Sequence, residues 1–517
     1  MLPLSLMSMK SELRSSRWTE VDHPSHQFRL LDNYPEAASD EIECKLYTCD
    51  LNEPNLKYNA LSYVWGTSQS NSTIQVNGFD EVIRHPQETV TMWIDSSHQV
   101  NLMSRIYKQC TKCIIWLGDF ADCEPALSIA DVQSSFDLID YVCKAAENPE
   151  AILPTSLERI ENRRAASRAI AVFLSLTWCS SIVLWGPLSI SWELLEQASI
   201  VLVQGKHAGF HVKLSEFWHP NIFCMTISTI RILRQTKEST LDRLWRLRYR
   251  QATVPLDKIY GLLGLLDEGS LSRIGVSDYT LDPAGLYKRI TLCLIELENG
   301  LKPFVGFRGE SKRTPGLSTW VIDWVPEQDK LMAHSRSADD GIRIDLSRMN
   351  CSADGALSLS GVHVDKVERV SIASHDMHPL ECDDAKNAVL GQIAIWTEFV
   401  KIAALEGRGA RYSLEDSFEK LICGEFPEID VSQNLLITET GYIGLGPRTL
   451  KAGDEIWVLF GGKVPFALRR KEVNGASRGL TACEDDFELV GDAFVYGIMS
   501  GEAVRGDEAL KRMIRLH

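Results

Sequence analysis

Two groups of residues in the first half of the chain are of the types that do chemistry. Ser62, Tyr63 and Trp65 close a short apolar run from Ala60 to Trp65, and Asp95 closes a second from Thr91 to Ile94. Short apolar runs ending in this way read as buried strands, and their last residues are presented at a sheet edge. A carboxylate at the end of a buried strand needs a partner, so Asp95 either caps the following helix or touches a ligand. Trp65 and Trp93 read as core aromatics ahead of ligand walls. Farther on, Trp192, Glu193 and Glu196 fall close together. On residue type alone the two glutamates are solvated carboxylates of a helix. Cys110-x-x-Cys113 has no second pair at zinc-finger spacing, which leaves buried thiols as the better reading and no metal site. No Walker A, HExxH, GxSxG or kinase signature is present, so those enzyme classes are excluded by motif. The Gly-x-Gly at Gly444 lacks the strand-to-helix setting of a dinucleotide fingerprint and reads as turn chemistry.

Positioning these residues requires a sheet. The run from Cys113 to Leu117 reads as a third strand, and Val100, Met103, Ile106 and Tyr107 recur at helical spacing just before it. Strand, helix and strand on this scale form a βαβ unit of a parallel sheet. Phe28 to Leu31 and Ile42 to Leu46 read as lead-in strands, and Pro125 to Ala146 as an amphipathic helix. Ala169 to Trp192 carries no charge and is long enough to span a bilayer, but its serines and Pro187 favour a buried helix and loop. Ser199 to Gln204 reads as a strand ending at Gly205.

The chain has 517 residues with 54 Lys plus Arg against 70 Asp plus Glu, a formal net charge of −16. That balance argues against a general nucleic-acid or anionic-membrane binder. Hydrophobic content of 44% is ordinary for a globular chain. Thirteen cysteines without a dense framework or a signal peptide point to reduced thiols in the cytoplasm. Residues 1–25 are polar and Ser-rich and read as a disordered tail; 26–205 is an α/β domain, 206–300 a helical region and 301–517 a β-rich α+β region. Within the last, Leu357 to Val364 alternates and Ala385 to Leu405 is a long amphipathic helix. The blocks Gly441–Pro447, Gly453–Leu459, Pro465–Arg469 and Leu489–Met499 read as a small β-barrel or sandwich.

Several blocks resemble one family. Tyr58-Asn-Ala-Leu-Ser-Tyr-Val-Trp-Gly66, Met92-Trp-Ile-Asp95 and Ile106-Tyr107 through Ile115-Trp-Leu-Gly118 are similar, in order, to the hallmark blocks of the fungal heterokaryon-incompatibility (HET) domain. Arg250-Gln-Ala-Thr-Val-Pro-Leu-Asp-Lys-Ile-Tyr-Gly-Leu-Leu-Gly264 resembles a further block of HET proteins, and the bland reading of its Asp257 is packed helical support. The resemblance implies a part in fungal non-self recognition, innate immunity and programmed cell death. It also implies a TIR-like, flavodoxin-like parallel sheet at 26–205. Many TIR domains cleave NAD through a glutamate in a W-x-x-x-E setting, a spacing that Trp192 and Glu196 share, with Glu193 beside them. Such a reaction needs one carboxylate facing an oxocarbenium-like ribosyl centre and an aromatic wall. Ser62, Tyr63, Trp65, Asp95 and Trp192 would then line the carboxyl end of the sheet. No bound cofactor is implied; NAD would be the substrate.

The chain also departs from the family pattern. Asp95 is followed by Ser96-Ser-His98 and then directly by Gln99-Val100, where the family carries further polar blocks. The domain is therefore degenerate or partly deleted, and a non-catalytic interaction module, with protein partners and self-association, is expected ahead of an NAD hydrolase using Glu196 or Glu193.

Overall fold

The computed structural model describes residues 26–34, 43–63, 72–83, 102, 105–116, 127–148, 150–152, 154–157, 182–185, 187–203, 238–248, 252, 254–306, 314–325, 338–339, 341–371, 382–405, 413–423, 433–471, 485–505 and 511–517. They fall in two compact units, Met1–Glu238 and Ser239–His517. The tail expected at 1–25, Trp65, Asp95 and the strand expected at Thr91–Ile94 lie outside the described residues.

The first unit holds two four-stranded sheets. In one, β1 (Gln27–Tyr34) and β2 (Glu43–Asp50) form an antiparallel pair, while β4 (Ser72–Val76) joins β2 in parallel and β5 (Phe79–Ile83) in antiparallel fashion. In the other, β3 (Asn59–Tyr63), β6 (Lys112–Trp116) and β7 (Ile182–Trp185) run parallel, and β8 (Leu188–Ser191) closes the edge antiparallel to β7. The residues 105–109 are helical and are tied to Tyr58, just before β3, and to Leu61 at its middle. Tyr58 Oη donates to Ile106 O (2.6 Å) and Tyr107 Oη to Leu61 O (3.2 Å).

Helix α1 (Ile129–Glu147) starts on a capping box between Ser128 and Asp131, which satisfies two otherwise unpaired backbone donors. Its buried stripe of Val132, Phe136, Ile139, Val142 and Cys143 follows helical spacing. Helix α2 (Trp192–Val203) packs against it and buries Trp192, Leu195, Ala198, Ser199 and Val201.

Two expectations need correction here. The part of Ala169–Trp192 that is described is the β7–β8 hairpin, not a helix and loop. Ile182-Val-Leu-Trp185 suits a buried strand, and Pro187, with fixed φ and no N–H, sits in the turn between the two. Ser199–Val203 is the last part of α2, not a strand. The β-branched residues there are overridden because Trp192, Leu195, Ala198 and Val201 bury one helical face. Among the described residues no helix is long and apolar enough to cross a membrane.

The second unit combines the helices of the middle region with the β-rich region. Helices α3 (Thr240–Leu247), α4 (Asp257–Tyr260), α5 (Glu268–Ile274) and α6 (Pro283–Glu298) precede the strands. Ser239, Asp267 and Asp282 cap three of them through their side chains, and Asn299 ends α6 in the left-handed region at φ 48°. Phe304 meets Phe466 edge to face at 6.1 Å, Leu301 N donates to Gly461 O (2.8 Å), and Gly306 N donates to Asp492 Oδ1 (3.0 Å). The helices are thereby fastened to the strands they lead into.

The strands are β9 (Asn350–Cys351), β10 (Leu357–Ser371), β11 (Asn434–Thr438), β12 (Ile443–Gly446), β13 (Glu455–Leu459), β14 (Phe466–Arg470), β15 (Asp486–Asp492), β16 (Phe494–Val495) and β17 (Lys511–Leu516). The long β10 is shared. Its first half pairs β17, its middle pairs β13 and its end pairs β11. With β13–β14, β14–β15 and the parallel β15–β17 pair, β10 closes a five-stranded ring. At the crossing, a Cβ on Gly361 would stand 2.7 Å from Val458 O, so only glycine lets the two backbones approach this closely. Leu357, Leu459, Trp457, Phe466, Leu468, Phe487, Ile514 and Leu516 fill the ring and are fully buried. Each contributes about 1.5–3 kcal/mol by leaving water. Helices α7 (Cys382–Leu405) and α8 (Leu414–Cys423) cover β11 and β12 through Trp396, Val400, Phe418 and Leu421.

Candidate functional site

The carboxylate singled out by spacing sits one turn into α2. Ser191 Oγ accepts from Leu194 N (3.2 Å) and so caps the helix that begins at Trp192. Four residues apart on a helix, Trp192 and Glu196 share a face, and the indole Nε1–H donates to Glu196 Oε1 at 2.8 Å. Trp192 is only 2% exposed, so its ring is a packed wall and its N–H finds its acceptor one turn on. Glu196 is half-buried and Glu193 is exposed. Around them, Cys143 Sγ donates to Leu194 O (3.6 Å) and Gln197 Nε2 to Glu147 Oε1 (3.1 Å), joining α2 to α1. Burial first, then the charges of Asp140 and Glu147, pushes the Cys143 thiol up to about 11, so it is inert as a nucleophile.

Ser62 and Tyr63 are the last residues of β3. The strand register separates them from Trp192. Tyr63 lies level with Trp116, Leu184 and Ser189, whereas Ser191 lies level with Ile182, Ile114 and Leu61. Trp192 therefore starts its helix beyond the amino-terminal side of the parallel strands, and Tyr63 ends at their carboxyl side. β3 and β8 are also the two outer strands of the sheet, about 14 Å apart at the usual strand spacing. The two groups expected to share one edge thus occupy opposite corners of the sheet, because β8 runs antiparallel.

Near β3 the chemistry is structural. Tyr58 is pushed up to about 12, chiefly by burial and then by Cys110, with Arg105 opposing. Burial likewise raises the Cys110 thiol, which donates to Tyr107 O (3.2 Å). Cys110 and Cys113 are both free thiols. Among the described residues no group of three or more His, Cys, Asp or Glu side chains is placed to hold a metal.

In the second unit the Arg250–Gly264 block packs through Ile259, Tyr260, Leu262 and Leu263. Tyr279 Oη donates to Asp257 Oδ1 at 2.5 Å, and Lys258 Nζ, in a buried side chain, donates to Arg248 O at 3.1 Å. Burial raises the Asp257 carboxyl against the opposing Tyr279 hydrogen bond, and the same burial raises Tyr279. The Asp257 carboxyl thus ties α4 to the turn at Tyr279 that precedes α6.

The strongest polar groups lie in the ring. Asp454 is buried and bound by both Arg469 Nε and Nη2 at 2.8 Å, with Lys451 N as a third donor. Glu455, also buried, accepts Arg470 Nε at Oε1 (2.6 Å) and Trp457 Nε1 at Oε2 (3.1 Å), with His363 Nε2 3.5 Å away. Residue-by-residue reading missed this set. Its signal is an acidic doublet, Asp454-Glu455, and a basic doublet, Arg469-Arg470, carried by paired strands of one hairpin.

Residues 428–512 match the Het-6 beta-barrel domain family. Heterokaryon incompatibility protein 6, OR allele, of Neurospora crassa is 22% identical across 93% of this chain and 95% of its own length. That alignment runs over 660 residues, more than this chain contains, so the relative carries segments with no counterpart here. No solved structure matches the chain.

Proposed function

We propose that this chain, similar to Neurospora heterokaryon incompatibility protein 6 and to the Het-6 beta-barrel domain family, is a heterokaryon-incompatibility (HET) domain protein that acts in fungal non-self recognition and the regulated cell death it triggers. In this reading the N-terminal unit is a TIR-like signalling and interaction module of the cytoplasm, working through protein partners and self-association and not through turnover of a substrate. The observation that carries it is the separation of Trp192 and Glu196 from Ser62 and Tyr63 at opposite corners of one sheet. A ribosyl-transfer site needs its carboxylate and its ligand-positioning residues around one cleft. The missing segments relative to the Neurospora protein support the same reading. The parallel run β3–β6–β7 supports a TIR-like sheet.

A second reading, an NAD hydrolase using Glu196 or Glu193, is favoured by one contact: the indole of Trp192 orients Glu196 at 2.8 Å. The test is NAD loss with purified, concentrated protein beside Glu196→Gln and Glu193→Gln, together with expression in a fungal host scored for growth arrest. We expect growth arrest that both variants retain, and no NAD loss. NAD loss abolished by one of the two substitutions would overturn the non-catalytic reading and choose the carboxylate.

A further inference from the structure

We propose that the outer face of α7 pairs with the same face of a second copy of this chain, the two helices running antiparallel. Over residues 390–405 the inner side of α7 is settled. Trp396 and Val400 are buried against β11 and β12, with Phe399 and Ala403 packed beside them. At about 3.6 residues per turn, the opposite side presents Leu390, Ile395, Glu398, Lys401, Ile402 and Leu405, all exposed. Leu390 is 65% exposed and Leu405 86%. A surface helix carries its polar residues away from the core, and a helix apolar on both sides is covered on both. Although 24% of the chain is charged, the exposed residues of this stretch include one acid and one base. Apolar side chains scattered singly over a surface need no explanation, whereas a contiguous stripe marks an interaction site.

The order of residues along the stripe selects the occupant. From Leu390 to Leu405 it runs leucine, isoleucine, glutamate, lysine, isoleucine, leucine, the same from either end with acid exchanged for base. A two-fold axis at the level of Phe399 sets Ile395 against Ile402 of the second copy, Leu390 against Leu405 and Glu398 against Lys401. Each pair falls within about two residues' rise, or about 3 Å, of level. Two-fold contacts are reciprocal, so both charges of both copies are matched. A parallel pair would set Glu398 against Glu398 and Lys401 against Lys401, and like charges in contact are disfavoured. Among the described residues neither charge is taken up by an ion pair within the chain. A membrane is the poorer match. Helices that lie on anionic lipid carry several Lys or Arg, whereas this face offers one lysine beside a glutamate, in a chain of net charge −16. The inference rests on the self-association of the reading above and gives it a surface outside the N-terminal unit.

Sedimentation velocity of the full chain at about 1–100 μM tests this, since two short helices make a small interface of about micromolar affinity. A concentration-dependent dimer is expected. Ile402→Ser removes one apolar contact from each copy and should weaken the dimer about a hundredfold. Glu398→Lys and Lys401→Glu should each weaken it about tenfold by setting like charges together. An equimolar mixture of those two variants should regain wild-type association, because each supplies the charge the other lacks. All three positions are exposed, and circular dichroism checks that the variants fold. Wild type that stays monomeric overturns the proposal and the self-association with it, and binding of that monomer to vesicles of anionic lipid would assign the face to a membrane. A dimer that Ile402→Ser leaves intact overturns this surface, while self-association through the N-terminal unit still stands. Single charge variants that associate as wild type, or a mixture that does not regain association, overturn the antiparallel pairing.

Discussion

The two units treat their carboxylates in opposite ways. On α2, Glu193 is exposed and Glu196 half-buried with a neutral indole donor. In the ring, Asp454 and Glu455 are buried and held by arginines. Spacing drew attention to the first pair, yet the second carries the stronger electrostatics. A motif reports which residues are near along the chain, whereas field strength depends on burial and on partners from other strands.

The sharpest way to break this contrast is Arg469→Met, which strands the Asp454 carboxylate in the interior. Because Arg469 is itself a third exposed, we expect a loss of about 3 kcal/mol, at the lower end for breaking a buried pair. Denaturant unfolding measures it. Arg469→Met with Asp454→Leu should regain most of that loss, and failure to do so would mean the arginine stem, not the charge, matters. Gly361→Ala comes next. Its Cβ would meet Val458 O at 2.7 Å and Leu459 at 2.9 Å, so about 1–3 kcal/mol is expected from overpacking at the ring closure. An unchanged melting temperature would show that β10 and β13 can separate there.

On the α2 side the effects should be smaller. Glu196→Met, at a half-buried position, keeps a stem of similar length and deletes the acceptor of the Trp192 N–H, for about 1 kcal/mol. Glu193→Gln should fall within about 0.5 kcal/mol, as for an exposed residue. A larger cost at Glu193 would erase the distinction between the two units.

The pH dependence sharpens the same comparison. His363 is held below its ordinary value by burial foremost, with Arg512 and Arg470 adding to it and Glu455 and Asp365 opposing. A histidine whose folded value is depressed favours the native state while neutral. That contribution is present above the unfolded value of about 6.5 and is lost as pH falls through the folded value. Thermal stability should therefore decline just below about pH 6.5 in wild type and less steeply in His363→Gln. Equal slopes would remove His363 from the account.

Local features were written in the chain. Ser128 with Asp131, and Asp282 before Pro283, mark helix starts because capping acts within a few residues. The alternation from Leu357 locates the start of β10, since side chains switch faces at every residue. The motif blocks also carried the family resemblance, because they are contiguous. The consequences of strand direction were decided only in three dimensions. Ile182–Trp185 and Ser199–Val203 have similar β-branched composition, yet one is a strand and the other a helix, according to what each buries. The antiparallel turn at Pro187 carries Trp192 to the far corner from Tyr63, a reversal that no spacing encodes. His363, Glu455 and Arg470 meet because β10, β13 and β14 pair side by side in the ring. Ring closure satisfies the backbone donors and acceptors of every edge at once, and that condition belongs to the whole set of strands, not to any one of them.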